Sequence, residues 1–129
     1  MKPKEIDIPF KFKDTLLYDI DLPVEEIALD VLKYNLDIYY LESEGTDDWN
    51  LSPRELIDNF AKEKTHAKRV DRVDLNFPIC IYFYLGQWII LDGVHRYAKA
   101  LMNKSRTIRV KKVSEQVLAR FSSHNTNPD

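Results

Sequence analysis

The 129-residue chain is short of the residues that mark several classes of protein. It has one cysteine, Cys80, which excludes an internal disulfide and any cysteine-rich zinc site. No apolar run is long enough to span a membrane, and the first residues lack the apolar core of a signal peptide. The 19 basic and 21 acidic residues nearly balance, at a formal net charge of -2. That balance argues against a protein whose whole surface binds nucleic acid. From these absences we expect a cytoplasmic protein, most simply a bacterial one.

The composition itself is that of an ordinary globular domain. Apolar residues make up 44% of the chain and charged residues 31%, both typical of proteins that bury a core. The length suits one domain over residues 1–129, and the polar tail at about 122–129 is expected to be flexible. Cys80 stands in the apolar run "FPICIYFYL", which predicts a small buried side chain.

The first half of the chain predicts one strand and three helical segments. Alternation predicts a strand over Thr15–Ile20. Pro23 and the acids after it favour a helix over Val24–Asn35, with a buried face of Ile27, Val31 and Tyr34. The acidic stretch "DIYYLESEGTDDWN" reads as a loop. Ser52, Pro53 and Glu55 form a capping box for a helix whose buried face is Leu56, Ile57 and Phe60, and a basic helix follows over about Thr65–Val73.

The second half changes to β-rich patterns. "ICIYFYL" and "WIIL" predict a hairpin that turns at Gly86-Gln87. "GVHRYAKALMN" predicts a helix with Ala98, Leu101 and Met102 available to the core. "RTIRVKKV" alternates as a strand, and Ser114 caps a closing helix. The expected fold is therefore α+β, with a small mixed sheet and helices packed around it.

The stretch "WIILDGVHRYAKALM" places a strand-to-helix junction at Asp92-Gly93. The N–H groups of a first helical turn lack acceptors within the helix, so such a junction suits a phosphate. His95 and Arg96 stand where the helix dipole disfavours cations, which suggests an anion nearby. The other interpretation stays open: Asp92 caps the helix, Gly93 only turns, and Arg96 pairs with a carboxylate.

A second wall of this site is predicted from the basic helix. His66 and Arg69 are three residues apart and share a helical face, so we expect both close to His95 or Arg96 on one concave surface. A solvated basic face is the alternative.

The segment "ILDGVHRYAKALMNKSRTIRVKKV" resembles the signature of the ParB/sulfiredoxin superfamily: a strand, a D/G-G-x-[HR]-R turn, a helix and a further strand. The resemblance extends over about Asp21 to Val113, and this part of the chain is similar to small uncharacterised bacterial ParB-like proteins. It implies a ParB/sulfiredoxin-like fold. It also implies that Gly93, Val94, His95 and Arg96 bind the phosphates of a nucleotide, which is ATP, ADP or CTP in the known members.

Two departures from the superfamily narrow what the resemblance implies. Val94 stands where sulfiredoxins carry their catalytic cysteine, so the sulfinic-acid repair reaction is not expected. No DNA-binding helix-turn-helix follows the motif, so chromosome segregation in the ParB manner is not expected either.

Two classes of function remain. The first is a nucleotide-dependent phosphotransferase or hydrolase, in which Asp92 acts as general base or Mg²⁺ ligand while His95 and Arg96 stabilise transferred charge. The second is a non-catalytic module that binds a nucleotide, a nucleic acid or a protein partner. Either way, Arg96→Ala is expected to weaken phosphate binding and to leave the fold intact.

Overall fold

A computed structural model describes residues 2–10, 17 and 20–126, with side chains up to position 120. The strands are β1 (Val24–Ala28), β2 (Ile79–Tyr84), β3 (Gln87–Asp92) and β4 (Thr107–Lys112). The α-helices are α1 (Pro53–Asp58), α2 (Lys64–Arg72), α3 (Val94–Met102) and α4 (Glu115–Thr126), and 3₁₀ helix forms at Lys4–Ile6 and Leu29–Asp37. Within these described residues, no helix is long and apolar enough to cross a membrane.

The strands form one four-stranded mixed sheet in the order β1-β4-β2-β3. β1 pairs antiparallel with β4, β2 pairs antiparallel with β3, and β2 pairs parallel with β4. α3 follows β3 and leads the chain back to β4, as a parallel neighbour of β2 requires. The predicted α+β class with a small mixed sheet is confirmed.

The β2–β3 hairpin turns at Leu85-Gly86, one residue earlier than predicted. Leu85 has φ 51° and Gly86 has φ 83°, and a type I′ turn needs positive φ at both central residues. Gln87 is already paired with Tyr84 in the sheet. The sequence pattern located the hairpin but placed its turn one position too late.

The predicted helix over Val24–Asn35 is wrong in its first half and is 3₁₀ rather than α-helix in its second half. Val24–Ala28 is strand β1, held against β4 by backbone pairing and by an ion pair of 3.1 Å between Glu25 and Lys112. The second half is 3₁₀ helix, in which Leu29, Leu32 and Asn35 are buried. That spacing of three is the period of a 3₁₀ helix. Sheet pairing distant in sequence overrides the local helical preference.

Several other predicted elements are confirmed. The capping box of α1 is complete, with Ser52 accepting from the Glu55 N–H and the Glu55 carboxylate accepting from the Ser52 N–H. α2 begins and ends within one residue of its predicted bounds. Ser114 caps α4, since its hydroxyl accepts from the Val117 N–H at 3.2 Å. The strand predicted over Thr15–Ile20 falls mainly outside the described residues.

β2 is buried on both faces and divides the core. Cys80 and Tyr82 point into one cluster with the N-terminal segment and α4, whereas Ile79 and Ile81 point into another with the second 3₁₀ segment and α3. Cys80 is a small buried side chain, as expected. Met102, predicted to reach the core, is instead exposed.

A third cluster positions the helices that carry the predicted site residues. Leu51, Leu56, Val70 and Ala98 pack together and so join α1, α2 and α3. The Lys99 ammonium also donates to the carbonyls of Asp71 and Val73 at the end of α2, at 3.2 and 2.8 Å. A cation suits a helix C-terminus, and this contact fixes α2 against α3.

Candidate functional site

The β3–α3 junction turns on Gly93, which has φ 107° and ψ 25°. A Cβ at this position would lie 2.8 Å from Cβ of Ile79, and nearer still to its Cγ2. The junction backbone therefore packs directly on β2 and requires glycine. Gly93 is also the residue before the first turn of α3 and has no side chain with which to cap it. The N–H groups of Val94, His95 and Arg96 thus have no acceptor within the helix.

His66 of α2 meets His95 of α3 directly. Nδ1 of His66 lies 2.9 Å from Nε2 of His95, and the two rings stack at a centroid distance of 5.1 Å. The other ring nitrogen of His66, Nε2, lies 2.7 Å from the carbonyl oxygen of Glu42. The predicted proximity of His66 to the junction is therefore present in the structure.

These contacts define the tautomers of the neutral pair. A carbonyl oxygen only accepts, so Nε2 of His66 carries a proton and donates to Glu42. A neutral His66 then accepts on Nδ1, and His95 donates to it from Nε2. Nδ1 of His95 is left as the unprotonated nitrogen, and it is the only ring nitrogen of the pair still available to a ligand.

His95 is neutral at pH 7. Burial, followed by the nearby His66 and Arg69, lowers the pKa of His95 to about 4. A side chain with this pKa carries no positive charge at neutral pH, so His95 does not act as a fixed cation there.

The acidic loop, residues 37–50, is fastened to α2 by two carboxylates. The buried carboxylate of Glu63 accepts from the Ser43 hydroxyl and from the Glu44 N–H, both at 2.7 Å. Glu44 in turn accepts from the N–H and the hydroxyl of Thr65, both at 3.1 Å. The bonds to Thr65 also hold the pKa of Glu44 below its ordinary value. The loop thus forms a fixed wall in front of α2.

A cleft of about 590 Å³ lies between this loop, α2 and the β3–α3 junction, and we call it the junction cleft. Its apolar side comes from the N-terminal segment and the loop, and its polar side from α2 and the junction. The lining residues are Lys2, Ile6, Ile8, Phe10, Tyr40, Leu41, Trp49, Arg69 and 90–95. A smaller cleft of about 200 Å³ shares Tyr40, Leu41, Trp49 and Arg69 and adds Glu42, Asp47, Asp48 and His66.

Most of the predicted site residues meet at these two clefts. Gly93, Val94 and His95 line the junction cleft, His66 lines the smaller one, and Arg69 lines both. The volume is within the range of small-molecule sites. The structure therefore places His66 and Arg69, the predicted second wall, beside the turn at Asp92-Gly93.

Arg96 lies elsewhere. Its guanidinium donates to the carbonyl of Pro78 at 3.1 Å and lies 3.8 Å from the Asp92 carboxylate. It lines a separate cleft with Cys80 and Lys111, which touches the junction cleft only through Asp92. The carboxylate of Asp92 offsets the cation at the helix start, which is the alternative that the sequence left open.

The junction cleft offers few protein ligands for a magnesium ion. Among the described residues, no three His, Cys, Asp or Glu side chains are grouped so as to hold a metal ion. Asp92 is the carboxylate at the junction cleft, and Arg96 is beside it. A magnesium ion at this position would depend on phosphate oxygens for most of its ligands.

Three residues of the site had no signal in the sequence. Glu63 precedes α2 with no spacing that marks it, and Glu42 contributes only its backbone carbonyl. Trp49 belongs to the predicted acidic loop, yet it lines both clefts, with the Lys2 ammonium 5.9 Å from the centre of its ring. Each depends on the folded path of the acidic loop.

Comparisons with known proteins give one similar structure. No protein-family model matches the chain, and no curated protein matches it. The chain is similar to a C-terminally truncated form of the chromosome-partitioning protein ParB from Caulobacter crescentus, in complex with CTP-γ-S. The identity is 14% and the TM-score 0.40, over 83% of this chain and 55% of the ParB chain. A likeness at this level establishes neither a shared family nor a shared function.

Proposed function

We propose that the chain binds the phosphates of a nucleotide at the first turn of α3, in the junction cleft. The observation that carries the proposal is the Gly93 junction. Its backbone packs on Ile79 and leaves the first N–H groups of α3 without acceptors in the helix, beside a cleft large enough for a small molecule. Such N–H groups, at the positive end of a helix dipole, form an anion site.

Arg69 provides the cation of the proposed site. It is exposed on α2 and lines both clefts, so its guanidinium is available to a ligand on either side. Phosphate oxygens bound at α3 would gain a charge-assisted hydrogen bond from it. Lys2, at the margin of the same cleft, adds a further positive charge.

The apolar side of the junction cleft suits the nucleoside. Trp49 and Phe10 line it, and Trp49 is 39% exposed. Exposed aromatic rings are the surfaces on which bases stack. Tyr40 lines the same cleft, but its hydroxyl is occupied by Asn35 and by the N–H of Ile90. We therefore assign Tyr40 to the wall of the cleft and Trp49 to base stacking.

The D-G-V-H-R motif supports a nucleotide rather than a simple anion, because it resembles turns that bind ATP, ADP or CTP. The proposal is for binding. A general acid or base acts best with a pKa near the working pH, and His95, with a pKa of about 4, is far from that. Asp92 stays the candidate magnesium ligand and general base should turnover occur.

Calorimetric titration with ATP, ADP and CTP, with and without Mg²⁺, tests the proposal. We expect one nucleotide to bind and Arg69→Ala to weaken its affinity by about tenfold, the loss of one charge-assisted hydrogen bond. Phosphate release in the same samples would extend the proposal to a hydrolase.

Arg72→Ala is the matched control, since Arg72 is an exposed arginine on the same helix that lines neither cleft. Equal loss of affinity in the two variants would indicate a diffuse charge effect and not a site. Absence of binding by all three nucleotides would contradict the proposal.

A further inference from the structure

We propose that the His66–His95 pair couples anion binding in the junction cleft to the uptake of one proton, on Nδ1 of His95. The inference rests on the proposed function, because the bound anion is the phosphate held by the first turn of α3. It adds a chemical role for two histidines that a simple phosphate site does not need.

The hydrogen bonds of the pair admit one extra proton and specify where it goes. In the neutral pair, His66 carries a proton on Nε2 for the Glu42 carbonyl, and a single proton bridges Nδ1 of His66 and Nε2 of His95. The remaining nitrogen is Nδ1 of His95. Adding a proton there breaks neither bond, whether the bridging proton then resides on His66 or on His95.

A second extra proton would have to enter the bridge and break it. The pair therefore has two intact states, neutral and singly charged. In the first, Nδ1 of His95 can accept a hydrogen bond from a ligand. In the second, Nδ1 donates one, and the positive charge is shared by two rings that lie beside the cleft.

The surroundings disfavour the charged state in the absence of an anion. Burial, the nearby His66 and Arg69, in that order of size, oppose a positive charge on His95 and lower its pKa to about 4. The charged side chains nearby are of both signs. The junction cleft, which His95 lines, is also lined by Arg69, Lys2 and Asp92. On the side of His66, the charged side chains are those of Asp47, Asp48 and Glu44. A bound dianion would add negative charge at the junction and favour the proton.

The direction of the pH dependence follows from linkage. The anion raises the pKa of His95 in the complex, so the protonated protein binds more tightly. Affinity then rises as pH falls from the pKa of the complex towards the lower pKa of the free protein, by up to about tenfold per pH unit, and is constant above the pKa of the complex.

Sulfate is the probe, because it remains a dianion across the range in which a histidine titrates, about pH 5 to 8. We expect calorimetry to show tighter sulfate binding at the acid end. The apparent binding enthalpy should change with the ionisation enthalpy of the buffer, as the uptake of up to one proton requires. In His95→Gln the affinity should be independent of pH, whereas His124→Gln, at the third histidine of the chain, should behave as the parent protein does.

NMR titration of the histidine ring signals in the unaltered protein serves if His95→Gln does not fold. We expect sulfate to raise the pKa of His95. Sulfate binding with the same affinity at every pH, or a pH dependence that persists in His95→Gln, would overturn the inference and leave the proposed function standing. No binding of sulfate or of any nucleotide at any pH would overturn both.

Discussion

Arg96 connects the start of α3 to the segment before β2. Its guanidinium donates to the Pro78 carbonyl and lies beside the Asp92 carboxylate, and the side chain is only 21% exposed. A cation at a helix start is unfavourable unless an anion offsets it. Asp92, four residues earlier, provides that anion from within the chain, so the charge pattern of the motif has a structural explanation at this residue.

Arg96→Ala is accordingly expected to lower the free energy of unfolding, by about 1–3 kcal/mol, because the Pro78 carbonyl loses this donor and the ion pair with Asp92 is removed. Urea unfolding measures this loss. Nucleotide affinity, measured on the folded variant, should change less than it does in Arg69→Ala.

Arg72→Ala again provides the comparison for stability, since it removes an exposed arginine. The sequence alone predicts the reverse for Arg96: unchanged stability and weakened binding. That result would place Arg96 in contact with the ligand and would contradict the structural role.

At the scale of elements, the outer edge of β3 is covered by the second 3₁₀ segment and the residues after it. Asn35, fully buried, donates from Nδ2 to the carbonyls of Leu32 and Trp88 at 3.0 and 2.9 Å. The N–H of Ile90 donates to the Tyr40 hydroxyl at 2.9 Å. These bonds satisfy an edge strand that would otherwise expose its backbone, and they place the acidic loop against the junction.

The packing between the β3–α3 junction and β2 gives a prediction at the same scale. Gly93→Ala forces a Cβ against Ile79 at a positive φ, so we expect a loss in the free energy of unfolding well above the roughly 1–2 kcal/mol of a left-handed alanine alone. Chemical denaturation measures the loss.

Gly45→Ala is the matched control. Gly45 also has a positive φ, of 80°, but a Cβ there would have no neighbour within 4 Å. Equal losses in the two variants would show that the junction backbone does not pack on β2 as described.

At the scale of the whole molecule, the sequence located the elements with local signals. The capping box at Ser52 and the alternation around Ile108 and Val110 depend on neighbours in the chain, and both are confirmed. The strand at Val24–Ala28 depends on pairing with β4, and most of its residues pair with a residue more than 80 positions later in the chain. Local propensity carries no information about such a partner, so the helix was predicted instead.

The same distinction applies to the candidate site. The turn at Gly93 has a local motif, and the helical spacing of His66 and Arg69 predicts a shared face. The hydrogen bond between His66 and His95, the carboxylate of Glu63 on the loop and the position of Arg96 outside the cleft are consequences of how α2 and α3 pack. No spacing in the sequence encodes them.

The central claim is that phosphate groups bind at the first turn of α3. The most direct measurement is a ¹H–¹⁵N NMR titration with ATP or CTP, which reports on each backbone N–H separately. We predict saturable shifts that are largest at the backbone N–H groups of Val94, His95 and Arg96, with smaller ones at Arg69. Shifts that are absent, or that centre on Cys80 and Lys111 in the Arg96 cleft, would contradict the account.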